Sequence, residues 1–407
     1  MHSSPASPAR PLRVAIIGGG IGGLAAAHAF LRIGATVRVF ERAPAIREVG
    51  AGLGVWTNAV RVLEAFGLGD RLRAVAQPVS SAGIFAADGR PLSVNDVSAL
   101  TAELGAPSYV MHRADLQALL LAGLPKDVVV TDAACQGFRE AHGGVIVDFA
   151  HAHSFVADLV IGADGFNSVI RHALWGDTPV RYSGQVCYRG VVPIQVARPG
   201  LLAEIQGRGI RMGHCPISAS RMYWWACCNA ARHEPEDAPG LKARLLELFR
   251  HFPLQMPDAI AATAPEMILH NELCDRPPLT RWSSGRVTLL GDAAHPMLPN
   301  LGQGACTAIE DAAFLARAVA QSPDLPAALA AYEAGRIPRT TRMVNLSWRF
   351  GHLVRWTNPL AVTLRESLFR LTPASAMQRE FRRQLDYDAG ARELAPDSVL
   401  TSGTAAA

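Results

Sequence analysis

The chain has 407 residues, of which 49% are hydrophobic, and its basic and acidic residues leave a formal net charge of only +4. This length and hydropathy are enough to fill the cores of two domains. No basic cluster is interleaved with aromatic residues, which argues against a nucleic-acid surface. No apolar run reaches the length of about 18 residues that a membrane span needs.

The cysteine pattern bears on the cellular compartment. Seven cysteines occur without a CxxC spacing, which favours free thiols in a reducing compartment, and we expect a cytoplasmic protein. The first predicted strand starts near residue 12, so no secretory signal peptide is expected.

The first motif is a glycine-rich turn between a strand and a helix. Residues 12–17 are apolar and β-branched and predict a buried parallel strand. The turn that follows has the spacing of a dinucleotide fingerprint, in which the glycines permit a tight turn and a close approach of the backbone to phosphate. The helix N-terminus then supplies free N–H groups for that phosphate. The motif comprises Gly18, Gly20, Ile21, Gly22 and Gly23.

An acidic residue lies where the fingerprint needs one. A second strand is predicted over residues 36–40 and is followed by Glu41 and Arg42. Glu41 lies near the position, about 20 residues beyond the glycines, at which a carboxylate binds a ribose hydroxyl. An acidic side chain there favours adenosine without a 2′-phosphate.

Two further motifs follow predicted buried strands. One strand, at 159–163, leads into Asp164, and another, at 287–290, leads into Asp292. Both acids therefore lie at strand ends, where open α/β sheets bind ligands. A glycine-rich helix start follows the second acid, so its backbone N–H groups can approach a ligand closely.

Together these motifs resemble those of the flavoprotein aromatic hydroxylases, the single-component monooxygenases typified by p-hydroxybenzoate and salicylate hydroxylases. The resemblance extends over about residues 11–380. It implies an α/β fold with a Rossmann-like FAD-binding domain of the glutathione-reductase type, an inserted α+β domain with a mainly antiparallel sheet, and C-terminal helices. The residues that it assigns to non-covalently bound FAD, beyond those of the first motif, Glu41 and Arg42, are Arg47, Gly52, Arg113, Asp164, Gly165, Asp292, Pro296, Gly302, Gln303, Gly304 and Ala305.

The resemblance also implies a reaction. NADH or NADPH reduces FAD, O₂ then gives a flavin C4a-hydroperoxide, and its terminal oxygen hydroxylates a small aromatic or heteroaromatic substrate. No metal is expected. Neither the choice of nicotinamide nor the choice between a monomer and a homodimer can be predicted from the sequence.

The motifs suggest the domain organisation. We expect a discontinuous FAD-binding domain at residues 11–75, 106–175 and 280–325, and a substrate-binding domain at 76–105 and 176–279, whose sheet one helix covers at about 241–249. C-terminal helices are expected over 326–385, and disorder at 1–10 and 390–407.

Substrate-pocket candidates come from the predicted strands of the second domain. Because alternation sends neighbouring residues to opposite faces, at most about half of them can face the substrate. Arginine could hold an anionic or phenolate substrate, and histidine could relay a proton. The candidates are Arg189, Tyr188, His214 and Tyr223, with Arg211 and Trp225.

Several alternatives stay open. An epoxidase or N-hydroxylase on the same scaffold is one, and a non-catalytic FAD- or ligand-binding protein is another. A flavin-dependent halogenase, which needs a relay lysine, is disfavoured because the chain lacks the Trp-x-Trp-x-Ile-Pro motif of that family. Its two lysines are also expected in the wrong places, Lys126 before a strand of the FAD-binding domain and Lys242 in a surface helix. An apolar stretch at about 354–369 could lie on a membrane surface, but Pro359 interrupts it and we expect it to pack on the FAD-binding domain.

Overall fold

The structure is a computed structural model that describes residues 10–46, 51–233 and 240–394. Its strands are β1 (Arg13–Ile17), β2 (Thr36–Phe40), β3 (Gly52–Val55), β4 (Gln77–Pro78), β5 (Ser81–Ala86), β6 (Pro91–Asp96), β7 (Tyr109–His112), β8 (Val129–Val130), β9 (Cys135–Ala141), β10 (Gly144–Phe149), β11 (Phe155–Ala157), β12 (Leu159–Gly162), β13 (Arg181–Val192), β14 (Leu201–Gln206), β15 (Ile210–Ser218), β16 (Arg221–Asn229), β17 (Leu269–Asp275), β18 (Ser283–Ser284) and β19 (Val287–Leu289). Its α-helices are α1 (Ile21–Arg32), α2 (Thr57–Ala65), α3 (Gly69–Val75), α4 (Val97–Leu104), α5 (Arg113–Ala122), α6 (Val169–Trp175), α7 (Leu241–Phe249), α8 (Met256–Ala262), α9 (Gly304–Gln321), α10 (Leu325–Val354), α11 (Pro359–Leu371) and α12 (Ala374–Leu385).

A six-stranded sheet carries the three motifs. Its strand order is β18-β19-β12-β1-β2-β8, and every neighbouring pair is parallel except β18–β19. Strands β12 and β19 are buried throughout, as is β1 after its first residue, and they are largely apolar, as expected for a parallel sheet covered on both faces. The order puts β1, β12 and β19 side by side, so their carboxyl ends meet at one edge.

Helices α1 and α9 pack closely beside this sheet. A Cβ atom on Gly22 would lie 2.8 Å from the side chain of Leu290 and 3.2 Å from that of Ala308, so only glycine allows this approach. A small sheet of order β11-β10-β9 packs against the six-stranded sheet, with the rings of Phe40 and Phe149 stacked at 4.2 Å.

The second domain is built on a seven-stranded sheet of order β17-β13-β16-β15-β14-β5-β6. All its neighbouring pairs are antiparallel except β14–β5. One face packs on α7 and α8 in a separate hydrophobic cluster, and the other faces the motif-bearing sheet. The predicted fold class is confirmed, although two helices cover the sheet where one was expected. The division of the chain into domains stays a prediction.

The C-terminal helices differ from expectation on one face. Asn358 caps α11 and Pro359 occupies its first turn, so the proline starts this helix instead of breaking it. Val354 and Val362 are buried, but Leu360, Leu364 and Leu368 are exposed, so the expected packing of this whole stretch is wrong for these leucines. In the described ranges, no helix combines the length and the hydropathy that crossing a bilayer would require.

Candidate active site

The three motifs meet at the carboxyl edge of the parallel sheet. Ala163 donates its backbone N–H to Ile17 at 2.8 Å, and Leu290 donates to Gly162 at 2.9 Å. The ladder therefore continues up to the residues that precede each motif. Segments that are far apart in the sequence thus form one site.

The three fingerprint glycines have distinct surroundings. A Cβ on Gly18 (φ +109°) would lie 2.4 Å from the carbonyl oxygen of Ala163, and one on Gly23 would lie 1.9 Å from the carbonyl oxygen of Gly18. A Cβ on Gly20, in contrast, would meet nothing within 4 Å. Helix α1 starts after Gly20 without a side-chain cap, so its first N–H groups are open. This open cradle fits the pyrophosphate of FAD.

Glu41 holds the fingerprint turn. Its Oε2 accepts the backbone N–H of Gly19 at 2.8 Å, and its Oε1 accepts that of Ala43 at 2.9 Å. A carboxylate oxygen can accept more than one bond, so the group can still bind a ribose hydroxyl. Arg42 is exposed beside it. Arg47, the neighbouring FAD candidate, lies outside the described residues.

A glutamine that the sequence analysis overlooked supports the same turn. The side-chain amide of Gln117 in α5 donates to the carbonyl oxygen of Gly19 at 2.9 Å. The backbone N–H of Arg113, the first residue of α5, donates to Ala51 at 2.9 Å. Helix α5 therefore connects the fingerprint to the segment before Gly52.

Asp164 organises the middle motif. Its carboxylate accepts the hydroxyl of Ser168, the N-cap residue of α6, and, at 2.7 Å, the first backbone N–H of that helix, from Val169. Burial raises the pKa of Asp164. The next residue, Gly165, has φ +81° and nothing within 4 Å of its Cβ position, so the backbone beside this acid is open to a ligand.

Arg171 joins the middle motif to the third. Its Nη1 donates to the carbonyl oxygens of Ala293 and Ala294, both at 3.0 Å. Its backbone N–H donates to the hydroxyl oxygen of Ser168. The guanidinium is buried, and desolvation lowers the pKa of Arg171 to about 10. The strand-end acids are thus held in a fixed relation.

Asp292 is one of the acids that the family resemblance assigns to FAD. Its side chain is exposed, yet the protein around it desolvates the carboxylate and raises its pKa, as expected for an acid on the floor of a cleft. The positive charges of His295 and Arg113 oppose this rise in the pKa of Asp292. Pro296, the next flavin candidate, is buried behind this acid.

The start of α9 offers unpaired donors. The helix has no side-chain cap, and a Cβ on Gly304 would meet only Met297, at 3.9 Å. The buried amide nitrogen of Gln303 and the indole nitrogen of Trp56 have no partner among the described residues. A Cβ on Gly302 (φ +62°) would lie 3.0 Å from that indole nitrogen. Free N–H groups in this arrangement fit the electron-rich edge of a flavin.

A buried polar network that the sequence analysis missed lies behind this helix start. Asp311 accepts from His295 Nε2 at 2.6 Å, from the backbone N–H of Gly291 at 3.2 Å and from Arg336 Nε at 2.7 Å. The ionic partners lower the pKa of Asp311 against the effect of burial. A carboxylate on an otherwise apolar helix face was the available signal.

The buried polar network continues at Glu310, the residue of α9 that precedes Asp311. Glu310 pairs with Arg336 at 2.7 Å and with Arg339 at 2.6 Å, and it accepts from the amide of Asn58 at 2.6 Å. That same amide donates to Gln303 at 3.0 Å. Side chains at the start of α9 are therefore positioned by charges on α10.

Two of the four principal substrate-pocket candidates, Tyr223 and Arg189, face the flavin motifs. A Cβ atom on Gly52 would lie only 2.4 Å from the aromatic ring of Tyr223, so the two domains touch here. Arg189 lies opposite Trp225 in the β13–β16 ladder and donates from Nη2 to Asn271, while its buried Nε has no partner among the described residues. Desolvation raises the pKa of Tyr223 well above its ordinary value, so its phenol stays protonated.

The other two candidates are on the wrong face. The hydroxyl of Tyr188 accepts from Arg244 of α7 at 2.6 Å. His214 pairs in register with Trp224, whose indole donates to Thr263, next to the end of α8. The expectation that Tyr188 and His214 reach the substrate is therefore wrong, because strand alternation turns both toward the covering helices.

Arg211 lies on the flavin-side face, but both of its Nη atoms already donate to protein acceptors. Its Nη1 donates to Glu204 at 2.9 Å and its Nη2 donates to Asn300 at 2.5 Å. The guanidinium is buried, and it links the second sheet to the segment that precedes α9. It is therefore placed to position the two domains.

The parallel sheet, with a dinucleotide cradle at its carboxyl edge and the seven-stranded sheet packed against it, defines a flavoprotein. The chain belongs to the FAD binding domain family, whose model matches residues 11–347. It is an FAD-dependent monooxygenase, with NAD(P)H as co-substrate, so the predicted family, cofactor and enzyme class are confirmed.

Relatives resemble the chain over nearly its whole length. A protein of Stigmatella aurantiaca named Aurachin C monooxygenase/isomerase is 38% identical over 380 residues, which cover 92% of this chain and 98% of the relative. The 2-heptyl-3-hydroxy-4(1H)-quinolone synthase of Pseudomonas aeruginosa (strain UCBPP-PA14) is 34% identical over 385 residues, or 91% and 97% of the two chains. The structure of Klebsiella pneumoniae HpxO complexed with FAD and uric acid has a TM-score of 0.86 at 29% identity, with 92% of this chain and 96% of that one covered.

Proposed function

We propose that the enzyme hydroxylates a small nitrogen-containing heteroaromatic compound whose ring carries a hydroxyl or carbonyl oxygen able to bear negative charge. The observation that carries this proposal is Arg189, whose Nε is buried without an acceptor among the described residues. A buried donor without an acceptor is costly, and an anionic or phenolate-like oxygen would satisfy it.

The residues around Arg189 support the same substrate class. Trp225 and Tyr223 lie on the same face with their rings 5.5 Å apart, and such flat surfaces pack against an aromatic ring. The protonated Tyr223 can donate its hydroxyl hydrogen to a carbonyl or phenolate oxygen on the substrate ring, or to a ring nitrogen. Asn271 orients the Arg189 guanidinium from the neighbouring strand.

The compounds named for two relatives are consistent with this class. One relative is a synthase of a 3-hydroxy-4-quinolone, and the structure of another is a complex with FAD and uric acid. Both compounds are nitrogen heterocycles with carbonyl or hydroxyl oxygens on the ring. Neither compound is proposed as the substrate itself.

The roles of the flavin-side residues follow from their surroundings. FAD, when bound, supplies the redox chemistry that joins NAD(P)H oxidation to O₂ activation. The open N-terminus of α1 would bind its phosphates, with Glu41 at the ribose, and Arg113 and Asp292 would hold the chain between phosphate and ring. The N-terminus of α9 and Gln303 would donate to the ring, while Trp225 and Tyr223 would exclude water above it.

Epoxidation or N-hydroxylation on the same scaffold is the second candidate. The aromatic and cationic lining fits a ring better than an isolated double bond, so ring hydroxylation is preferred. Mass spectrometry and NMR of the product distinguish a phenolic C–OH from an N–OH or an epoxide.

We further propose that the enzyme acts in the cytoplasm, as a monomer or homodimer. All seven cysteines are free, which suits a compartment that supplies NAD(P)H and keeps thiols reduced. Light scattering after gel filtration would give the oligomeric state.

The test is NADH and NADPH oxidation with a panel of quinolones, pyridones, purines and hydroxybenzoates, with H₂O₂ measured in parallel. We expect one class of oxygen-bearing N-heterocycles to accelerate oxidation and to gain one oxygen atom. Arg189→Met should raise KM for that class by about 10- to 100-fold, the loss of one charge-assisted hydrogen bond. Tyr188→Phe, on the opposite face, is the control and should leave KM unchanged. Equal KM values for Arg189→Met and the unmodified enzyme would refute the proposed role.

A further inference from the structure

Helix α11 turns a row of leucines outward. Leu360, Leu364, Leu368 and Leu371 are 81%, 54%, 51% and 81% exposed. Their spacing puts them along one side of the helix, and we call this surface the leucine face. Isolated exposed leucines are ordinary, but four along one short helix form an apolar patch of the kind that marks an interaction site.

The opposite side of α11 explains why the leucines face outward. Arg365 is fully buried, and its Nη2 donates to the carbonyl oxygen of Gly207 at 3.0 Å, while its Nη1 donates to that of Val354 at 3.4 Å. Val362 is buried beside it. The helix is therefore fixed by a buried arginine, and rotating it to bury the leucines would expose that arginine's partners.

The part of the sequence that contains the leucine face is rich in arginine, although Arg365 is buried and Arg342 and Arg382 form ion pairs. Residues 342–383, which form most of the last three helices, contain eight arginines and two glutamates, whereas the whole chain has a net charge of only +4. The rest of the protein is therefore slightly negative. Arg370, next to Leu371, and Arg379 of α12 are exposed.

We propose that the leucine face docks the enzyme on an anionic lipid bilayer, with α11 lying in the plane of the interface. An apolar side about 20 Å long, set in a basic region, is what an interfacial amphipathic helix presents to acyl chains and acidic headgroups. Anionic lipids attract such arginines at the cytoplasmic surface. This attachment needs no membrane-crossing helix.

The charge distribution favours a membrane over a second copy of the chain. Two copies joined through their leucine faces would bring two strongly basic regions together, and like charges repel at such an interface. An anionic bilayer provides the opposite charge and an apolar layer at once. The proposal does not depend on which substrate the enzyme hydroxylates.

The first experiment is co-sedimentation of the FAD-loaded protein with vesicles of equal parts phosphatidylglycerol and phosphatidylcholine, and with phosphatidylcholine alone. We expect binding to the anionic vesicles only, weaker at about 0.5 M than at about 0.1 M salt. The variant Leu364→Glu/Leu368→Glu should bind at least about tenfold less. Met267→Glu, which changes an equally exposed apolar residue elsewhere, is the control and should bind like the unmodified protein.

Two readouts separate docking from misfolding and from dimerisation. The glutamate variant should keep its FAD content and its unfolding temperature. Leu368→Cys carrying a polarity-sensitive fluorophore should shift its emission to the blue on anionic vesicles, which tests docking without added charge. Absence of sedimentation and of a blue shift would overturn the proposal. So would a dimer in gel filtration that the glutamate substitutions convert to a monomer, because the occupant would then be a second copy.

Discussion

His295 Nε2 and Asp311 Oδ2 lie 2.6 Å apart and join the third glycine motif to the middle of α9. The same carboxylate receives the backbone N–H of Gly291 and the guanidinium of Arg336. One buried acid therefore fixes the loop that presents Asp292 and, through α10, the helix that would face the flavin ring. The site depends on this acid although no ligand need touch it.

Replacing Asp311 with Asn should damage both folding and flavin binding. The substitution leaves the buried Arg336 with Glu310 as its remaining anionic partner, and breaking a buried ion pair costs about 3 kcal/mol or more. Unfolding temperature and FAD content after gel filtration measure the two effects. Asp324→Asn at the start of α10 is the control, because asparagine caps a helix about as well as aspartate. Unchanged stability and FAD content in Asp311→Asn would contradict this account of the network.

Two glycines of the fingerprint should respond differently to alanine. Gly20→Ala places a methyl group in open space, so the free protein should keep its stability while FAD affinity falls at least about tenfold where phosphate would approach. Gly23→Ala places its methyl 1.9 Å from a backbone oxygen, so this variant should lose stability before any ligand is added.

Denaturant unfolding of the flavin-free proteins and FAD titration by fluorescence measure the two effects separately. Equal loss of stability in both variants would show that the cradle at Gly20 is structural and not a binding surface.

Gly52→Ala should push the two domains apart at Tyr223. The added methyl would overlap the ring of Tyr223, and overpacking of this kind costs about 1–3 kcal/mol. The double variant Gly52→Ala/Tyr223→Ala removes the obstacle, so its stability should exceed that expected if the single effects simply added. Thermal unfolding of all four proteins gives the coupling, and strict additivity would mean that the ring does not pack on Gly52.

His214 should make the protein less stable in mild acid. Burial lowers its pKa from 6.5 to about 4, so between these values the unfolded chain binds more protons than the folded one. Stability then falls as the pH drops through this window. From pH 7.5 to pH 5 the unmodified protein should lose about 2 kcal/mol more than His214→Leu.

The measurement is urea unfolding at the two pH values. His153→Leu, at an exposed position, is the control and should follow the unmodified protein. If His214→Leu lost as much stability in acid as the unmodified protein, the histidine would be protonated or solvated in the folded state.

The strands and helix starts of the flavin edge could be predicted because local sequence determines them. A buried parallel strand followed by Gly18 and Gly20 has few other structures open to it, and Asp164 and Asp292 follow strands of the same kind. The family resemblance that these motifs carry then implied FAD as the cofactor.

It could not be predicted in the same way which residues of the seven-stranded sheet lie on which of its two faces. Helices cover one side of β13 and the flavin domain covers the other, so residues on both sides are largely apolar. The alternation of residue types therefore does not tell which residues face the flavin domain. Tyr188 and Arg189 were therefore equally plausible. The Asp311–Arg336 pair was missed for a different reason, since it depends on how α9 and α10 pack against each other.

The neighbouring positions of β1, β12 and β19 also bear on biosynthesis. A ribosome delivers β1 and its neighbour β2 within the first 40 residues, and β12, on the other side of β1, by residue 162, but β19 only at residues 287–289. Pairings between such distant segments form slowly. The nascent chain must therefore persist with the outer edge of β12 unpaired until β19 emerges, and the yellow colour of bound flavin would report on completed synthesis in a way that partial chains could not imitate.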